Sequence, residues 1–389
     1  MARILDVPAF GEFSQALLVS STFCMLACLG LQPMLQRDMP VLLLRNRRRV
    51  AVIALTQCVI VASACFLVAC AISYAYVALP GISRTTLLVG LFHGLSQQVF
   101  LVVTIDSRSR GQPIRYAGQN LARAFLVLAA AIPVALVWNT ALYVILIEGL
   151  ISIALTSMIL ADMFRSARLS AATALHAAIR RMSRVQWHSA AALLVVATIG
   201  FVLLNADRWI AAQALGKMQF SHYAFAWTLL MVAQSIQAVL NASIFPFLAR
   251  SYASRGVAPT YRICAGVSCI LLLWSAVLAV PAMLLIKYAI ARWFPDYRDS
   301  IALVPLFILV GATRISDLWT SFMVIVGRER QLIVLNSLAV SVSVGLWCAY
   351  VRPWSGTGPG LWEVGVLAAL LSGCNYLLLA GAAWRARSA

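Results

Sequence analysis

Among the ionisable side chains within or at the margins of the long apolar stretches of this 389-residue chain, His93, Arg123, Glu148, Asp207, Arg208, Arg314 and Asp317 stand out. A charge placed in hydrocarbon costs several kcal/mol and usually faces a cavity or a partner, so any chemistry of this chain should sit with them. Arg314 falls near the middle of the stretch 301–325, too deep to reach the interface easily, and Asp317 follows three positions later on the same helical face. Two readings stay open: a self-satisfied pair that only holds the helix, or a cation aimed into a central cavity. Glu148 lies about 12 Å and Arg123 about 22 Å from the turn at 138–140 at ~1.5 Å per residue, which puts them out of register for a direct pair. An unpaired acid at that depth could carry a proton during transport, or stay neutral as a hydrogen-bonded structural group. Arg123, near the cytoplasmic edge, is expected to snorkel. Asp207 and Arg208 are adjacent, should point in different directions, and sit towards the outer leaflet. The cations Arg314, His93, Arg123 and Arg208 are therefore candidates for holding an anionic substrate, and Glu148, Asp317 and Asp207 for ion coupling.

Other chemistries find little support. The largest external segments, 206–221, 287–300 and 352–360, contain no Asp-x-Asp, no Ser/His/Asp set, no phosphate-binding glycine loop and no paired acids with a base, so an enzyme is not expected. Gly356, Gly358 and Gly360 with Pro353 and Pro359 make only a turn-rich loop. Nine cysteines, from Cys24 to Cys374, fall within apolar stretches without a Cys-x-x-Cys pair and read as buried small hydrophobes. Four scattered histidines lack ligand spacing, so neither a metal nor a cofactor is expected.

The elements that must position these residues are membrane helices. Hydrophobic residues make up 62% and charged residues 11% of the chain, and mean hydropathy is +0.91, too apolar to cover an aqueous surface. About twenty apolar residues cross a bilayer as a helix. Stretches near that length recur at 14–35, 50–76, 86–105, 121–138, 140–162, 189–211, 222–247, 263–286, 301–325, 331–351 and 361–384, eleven in all, with 121–138 and 140–162 forming a hairpin with almost no loop. Of the 30 Lys and Arg residues, 20 fall on one side of such a topology and eight on the other, with Arg123 and Arg314 inside spans. The richer side should be cytoplasmic and includes the C-terminus. The net charge of +18 is then topology signal and attraction to anionic headgroups, and no nucleic-acid partner is expected.

Residues 5–16 and 215–226 share a template, Leu-x4-Phe-[Gly/Ser]-x-[Phe/Tyr]-x2-Ala: Leu5, Phe10, Gly11, Phe13, Ala16 against Leu215, Phe220, Ser221, Tyr223, Ala226, at an offset of 210. A second echo, Val89-Gly90-x2-His93-x2-Ser96 against Val310-Gly311-x2-Arg314-x2-Asp317, has an offset of 221. Two homologous halves follow, with His93 and Arg314 at equivalent positions and both facing the cleft between lobes. The fold expected is an all-α polytopic membrane protein of two repeated bundles with about 11 transmembrane helices, a twelve-helix plan lacking its first helix through a misplaced start, a truncation or true loss. The divisions are 1–162 for the first bundle, 163–188 for a cytoplasmic amphipathic linker and 189–389 for the second bundle. In the linker Leu175, Ile179, Met182 and Val185 share a face opposed to Arg180, Arg181 and Arg184, as in a helix resting at a membrane surface.

Asp207-Arg208, then Leu215-Gly216, Phe220, Tyr223 and Ala226, then Pro246-x-Leu248-x-Arg250, resemble the Wzx-type flippases of bacterial O-antigen and exopolysaccharide synthesis, in the multidrug/oligosaccharidyl-lipid/polysaccharide exporter (MOP) superfamily. Trp293-Phe294-Pro295-Asp296-Tyr297 and Gly327-Arg328 are similar to later landmarks of that family, and Ala2-Arg3-x-Leu5 with Phe10-Gly11-x-Phe13 to the segment after its first helix. Pro295 stands where a glycine is more usual. The resemblance implies translocation of a polyprenyl-pyrophosphate-linked oligosaccharide from the inner to the outer leaflet of the bacterial cytoplasmic membrane by alternating access. The implied partners are that lipid-linked substrate, membrane lipids, and a polysaccharide polymerase with glycosyltransferases. A drug or organic-cation antiporter on the same scaffold, or a non-transporting scaffold for polysaccharide enzymes, are the alternatives.

Overall fold

In hydrocarbon every backbone N–H and C=O must be satisfied within the chain, so apolar stretches of this length become helices. The computed structural model describes residues 1–75, 81–351 and 359–387, apart from the side chains at 113, 238, 239, 242, 243, 246, 249 and 351. Two compact units result, Met1–Thr198 and Ile199–Ala389. The first holds α1 (Val7–Leu26), α2 (Leu31–Leu44), α3 (Arg48–Ala75), α4 (Arg84–Ser109), α5 (Pro113–Trp138), α6 (Ala141–Ala167) and α7 (Ala171–Arg180). Helix α8 (Trp187–Ala214) runs across the boundary. The second holds α9 (Lys217–Arg255), α10 (Val257–Trp293), α11 (Val304–Ile315), α12 (Trp319–Ile325), α13 (Glu329–Val351) and α14 (Leu361–Ala386).

The chain is an all-α, multi-pass membrane protein. Among the described residues nine helices are long and apolar enough to cross a bilayer, or ten if the bent pair α1 and α2 counts as one span. The remaining expected span, 222–247, lies in α9, several of whose side chains fall outside the described residues. Two expected spans are not continuous. The stretch 14–35 breaks after Leu26 and resumes at Leu31 with a 55° bend. Leu29 and Gly30 there adopt φ of 46° and 83°, and a Cβ on Gly30 would lie 1.9 Å from the Ala190 carbonyl oxygen, so only glycine fits. The stretch 301–325 starts in a 3-10 segment, Pro295–Leu303, and breaks again between α11 and α12. Side chains repair that second break: Ser268 Oγ donates to the Ser316 carbonyl at 2.6 Å, and Cys264 Sγ to that of Leu318 at 3.5 Å.

The α5–α6 hairpin turns within Asn139 and Thr140, Asn139 taking φ 44°. Cys28, Cys58 and Cys264 are buried, but Cys269 and Cys348 are exposed on the outer helix surfaces, and Cys28 lies in the α1–α2 break rather than in a span. Apolar side chains in a bilayer need no burial in protein, so burial could not be inferred from apolarity. In α7, Ser170 caps the helix and Ala174 and Ala178 are buried on the side facing α3, where Gln57 Nε2 donates to the Ala178 carbonyl at 3.2 Å. Leu175 and Ile179 are 46% and 59% exposed. Arg352, Pro353, Gly356 and Gly358 of the turn-rich loop, and the Pro246 side chain, lie outside the described residues.

The internal repeat is visible in the packing. In the first unit α1 lies on α4, α4 on α3 and α6, and α5 on α6; in the second α9 lies on α11, α11 on α10 and α14, and α13 on α14. Template residues Leu5, Phe10 and Ala16, and their counterparts Leu215, Phe220 and Ala226, are all buried. The template is thus core packing for the helix that opens each unit.

Candidate functional site

In the first unit the polar centre is built on α4. Gly90 and Gly94 bring α1 against it: a Cβ at Gly90 would meet the Ala16 carbonyl oxygen at 2.8 Å, and one at Gly94 the Ser20 carbonyl oxygen at 2.8 Å. That approach lets Ser20 Oγ reach His93 Nδ1 at 2.8 Å. On its other edge His93 Nε2 lies 3.3 Å from Glu148 Oε2 on α6 and 3.1 Å from Gln97 Nε2. His93 is 4% exposed. Glu148 is therefore not an unpaired acid: the histidine that sequence reading left apart from it is its partner. Arg123 on α5 does not snorkel. Its Nε donates to Ser152 Oγ at 2.9 Å, its guanidinium lies 5.0 Å over the Phe100 ring, and no hydrogen bond or ion pair joins it to Glu148 among the described residues. A second polar knot lies one turn along α4, where Gln98 donates to Gln32 Oε1 at 2.9 Å and to Cys28 Sγ at 2.9 Å and accepts from Cys24 Sγ at 3.0 Å. Sequence reasoning passed over Ser20, Gln97, Gln98 and Ser152. The signal was present, since two adjacent glutamines inside an apolar helix must each find partners.

In the second unit three helices supply the centre. Asp207 on α8 is 0% exposed, and Tyr223 on α9 donates its phenol to Asp207 Oδ2 at 2.5 Å while Oδ1 has no hydrogen-bond partner. Arg208 points elsewhere, its guanidinium 3.9 Å over the Trp227 ring and its Nη1 donating to Asn205 Oδ1 at 3.3 Å. Arg314, near the end of α11, is 5% exposed, and its Nε and Nη1 have no hydrogen-bond partner. No ion pair within 4.0 Å joins Arg314 to Asp207 among the described residues. Arg314 is not paired with Asp317 either. The helix ends at Ile315, which takes Asp317 off the face that a continuous helix would have shared with it, and Asp317 instead accepts from Thr320 Oγ1 at 3.0 Å and from the Thr320 N–H at 3.4 Å. The Thr313 and Ser372 hydroxyls, 2.8 Å apart, tie α11 to α14.

Arg314 and Asp317 line a cavity with Gln237, Thr313, Ser372, Asn375 and Tyr376, with about 40 Å³ of room for water. A single water needs roughly 10–15 Å³ measured this way, so a few waters fit and a diphosphate does not without widening. The lining offers a guanidinium, amides and hydroxyls beside the Asp317 carboxylate, with Leu203 and Leu204 as its apolar part. Arg314 and His93 are both buried. Gly311, the counterpart of Gly90, approaches α9 less closely, since a Cβ there would lie 3.4 Å from Ala233 Cβ.

No family model matches the chain, and no curated protein matches it. Among solved structures the chain is similar to the inward-facing conformation of a multidrug resistance MATE family transporter of the MOP superfamily, with a TM-score of 0.67 at 12% sequence identity, covering 100% of this chain and 95% of that one. At this identity the likeness speaks for architecture alone. Together with the repeated bundles and the membrane helices, it shows that this chain has the fold of that transporter.

Proposed function

We propose that this protein is a transporter that moves a polyprenyl-pyrophosphate-linked oligosaccharide from the inner to the outer leaflet of the bacterial cytoplasmic membrane by alternating access. The observation that carries the reading is Arg314, a buried guanidinium in the wall of a polar cavity, whose Nε and Nη1 are enclosed without a protein hydrogen-bond partner among the described residues. A permanently charged, planar fork suits phosphate oxygens, and burying it without a fixed counter-ion has no structural benefit to offset its cost. The pyrophosphate head, which cannot cross hydrocarbon bare, would replace the missing partners while its tail stays in lipid. The fold of a MOP-superfamily transporter supports movement rather than catalysis. In this reading a polysaccharide polymerase and glycosyltransferases act beside it, and the C-terminus is cytoplasmic. His93, Arg123 and Arg208 are already engaged within the protein, so Arg314 is the principal substrate contact.

A drug or organic-cation antiporter is the second reading, favoured by the multidrug transporter that the fold resembles and by the acid Asp317 in the cavity wall. Complementation separates the two. Arg314→Ala, expressed in a flippase-null strain, should reach the membrane at normal levels yet lose export. Full complementation by that variant, or drug resistance conferred by the wild type without complementation, would overturn the flippase reading.

A further inference from the structure

Helices α9, α10 and α11 of the second unit border an elongated groove of about 320 Å³. Small residues make the room: Ala233 on α9, Ala279 and Ala282 on α10, Gly311 and Ala312 on α11. Exposed Val232 and Leu278 form its lips, and a single hydroxyl, that of Ser275, interrupts the apolar lining. From Val304 to Ile315 on α11 the groove runs about 16 Å at ~1.5 Å per residue, the depth of one leaflet of a hydrocarbon core roughly 30 Å thick. Spread over that length, the volume leaves a cross-section of about 20 Å², a quarter of that of a helix about 10 Å across. One flexible hydrocarbon chain can enter where a helix cannot.

The groove meets a polar end. On α9, Gln219, His222 and Ala226 follow one another at helical spacing; Ala226 lines the groove, and the other two line an open hollow of about 670 Å³ together with Arg298 and Asp299 of the 3-10 segment. That segment runs straight into α11 at Val304, so Asp299 stands roughly 10 Å before the groove at ~2.0 Å per residue, comparable with a headgroup layer of roughly 5–8 Å on each side of a bilayer. The segment is tied to α9: Ser300 Oγ donates to the His222 carbonyl at 2.8 Å, and the buried His222 ring places Nε2 3.5 Å from Asp299 Oδ2. Arg298 and Asp299 are both exposed, so a cation and an anion stand side by side at the head of an apolar slot.

We propose that the second unit carries a binding site for a zwitterionic phospholipid of the phosphatidylethanolamine type, with one acyl chain in the groove, its phosphate at Arg298 and its ammonium at Asp299. A guanidinium fork suits phosphodiester oxygens, and a carboxylate accepts from an ammonium. An anionic lipid would satisfy Arg298 but meet Asp299 as a like charge, and a lipid without phosphate would leave Arg298 unused. Leu361, at the start of α14, lines the same hollow; with the C-terminus at the far end of α14 cytoplasmic, the site faces the outer leaflet. It shares no residue with the cavity at Arg314 and does not depend on the flippase reading.

The test uses the full chain in detergent, delipidated and then offered dioleoyl phosphatidylethanolamine and dioleoyl phosphatidylglycerol, with retained lipid counted by native mass spectrometry. Wild type should keep one ethanolamine lipid in preference to the glycerol lipid by roughly fivefold, the order of one interfacial ion pair. Asp299→Lys should reverse that preference, and Arg298→Gln should weaken retention of both lipids. Ala279→Phe fills the groove and should retain neither; Ala282→Leu, a milder filling, should lower retention with the bundle intact. Equal retention of the two lipids by wild type, or an unchanged preference in Asp299→Lys, overturns the headgroup assignment. Undiminished retention by both filling variants overturns the groove. A dimer of delipidated wild type that Ala282→Leu dissociates would give the groove to a second copy of the chain and overturn the proposal as well.

Discussion

His93 and Arg314 lie on α4 and α11, helices that pack in the same pattern within their units, yet their surroundings are finished differently. His93 is held at both ring nitrogens, by Ser20 on one edge and by Glu148 and Gln97 on the other. Arg314 has no ion pair within 4.0 Å and two nitrogens with no hydrogen-bond partner among the described residues. The difference has an identifiable source. Gly90 and Gly94 press α1 onto α4 until the Ser20 hydroxyl meets the imidazole, whereas Gly311 leaves ordinary van der Waals distance to α9, and α11 stops one residue after the arginine. One copy of the repeat has become a closed hydrogen-bond network that holds helices together; the other keeps a charge in reserve beside a cavity.

Export should separate the two centres most widely. Arg314→Ala is expected to lose about 3 kcal/mol of substrate binding, roughly a hundredfold, with little change in melting temperature. His93→Ala should lower stability by about 1–3 kcal/mol by stranding Ser20, Gln97 and Glu148, with a proportionately small effect on binding. Ligand-binding assays and detergent melting curves on both variants check the contrast, and a reversal of the two phenotypes would break it.

The glycines give the next largest contrast. Gly90→Ala must displace the α1 backbone and should destabilise by about 1–3 kcal/mol. Gly311→Ala meets no backbone and improves helix propensity, so it should be neutral or stabilising by up to about 1 kcal/mol. Equal melting shifts for the two would show that the difference in helix approach is not energetically real. Ser152→Ala, which releases Arg123, should have the smallest effect, about 1 kcal/mol by chemical denaturation, without loss of export.

Much of this was legible in the chain. Apolar length dictated helices because a bilayer offers the backbone no other partner, and the α5–α6 hairpin followed from two such stretches meeting at Asn139 and Thr140. The template at 5–16 and 215–226 announced the repeat, since both copies serve as core for the helix that opens each unit. Arg314 stood out because a guanidinium in hydrocarbon has no neutral explanation. The breaks in 14–35 and 301–325 were hidden: hydropathy continues across them, and only the contact of Gly30 with the Ala190 carbonyl, or of Ser268 with that of Ser316, shows where the helix yields.

Pairings lay beyond the sequence altogether. Spacing along one helix left a pair of Arg314 with Asp317 open and left Glu148 alone, but partners three or four positions apart compete with residues brought in from other helices, and here His93 reaches Glu148 from α4 while Asp317 is held by Thr320. The sequence by itself determined the solvent, the helices, their repetition and the identity of the buried charges, because these depend on local composition and on the cost of leaving water. Tertiary structure alone decided which charge would be neutralised and which left available, because that depends on gaps between helices smaller than a side chain.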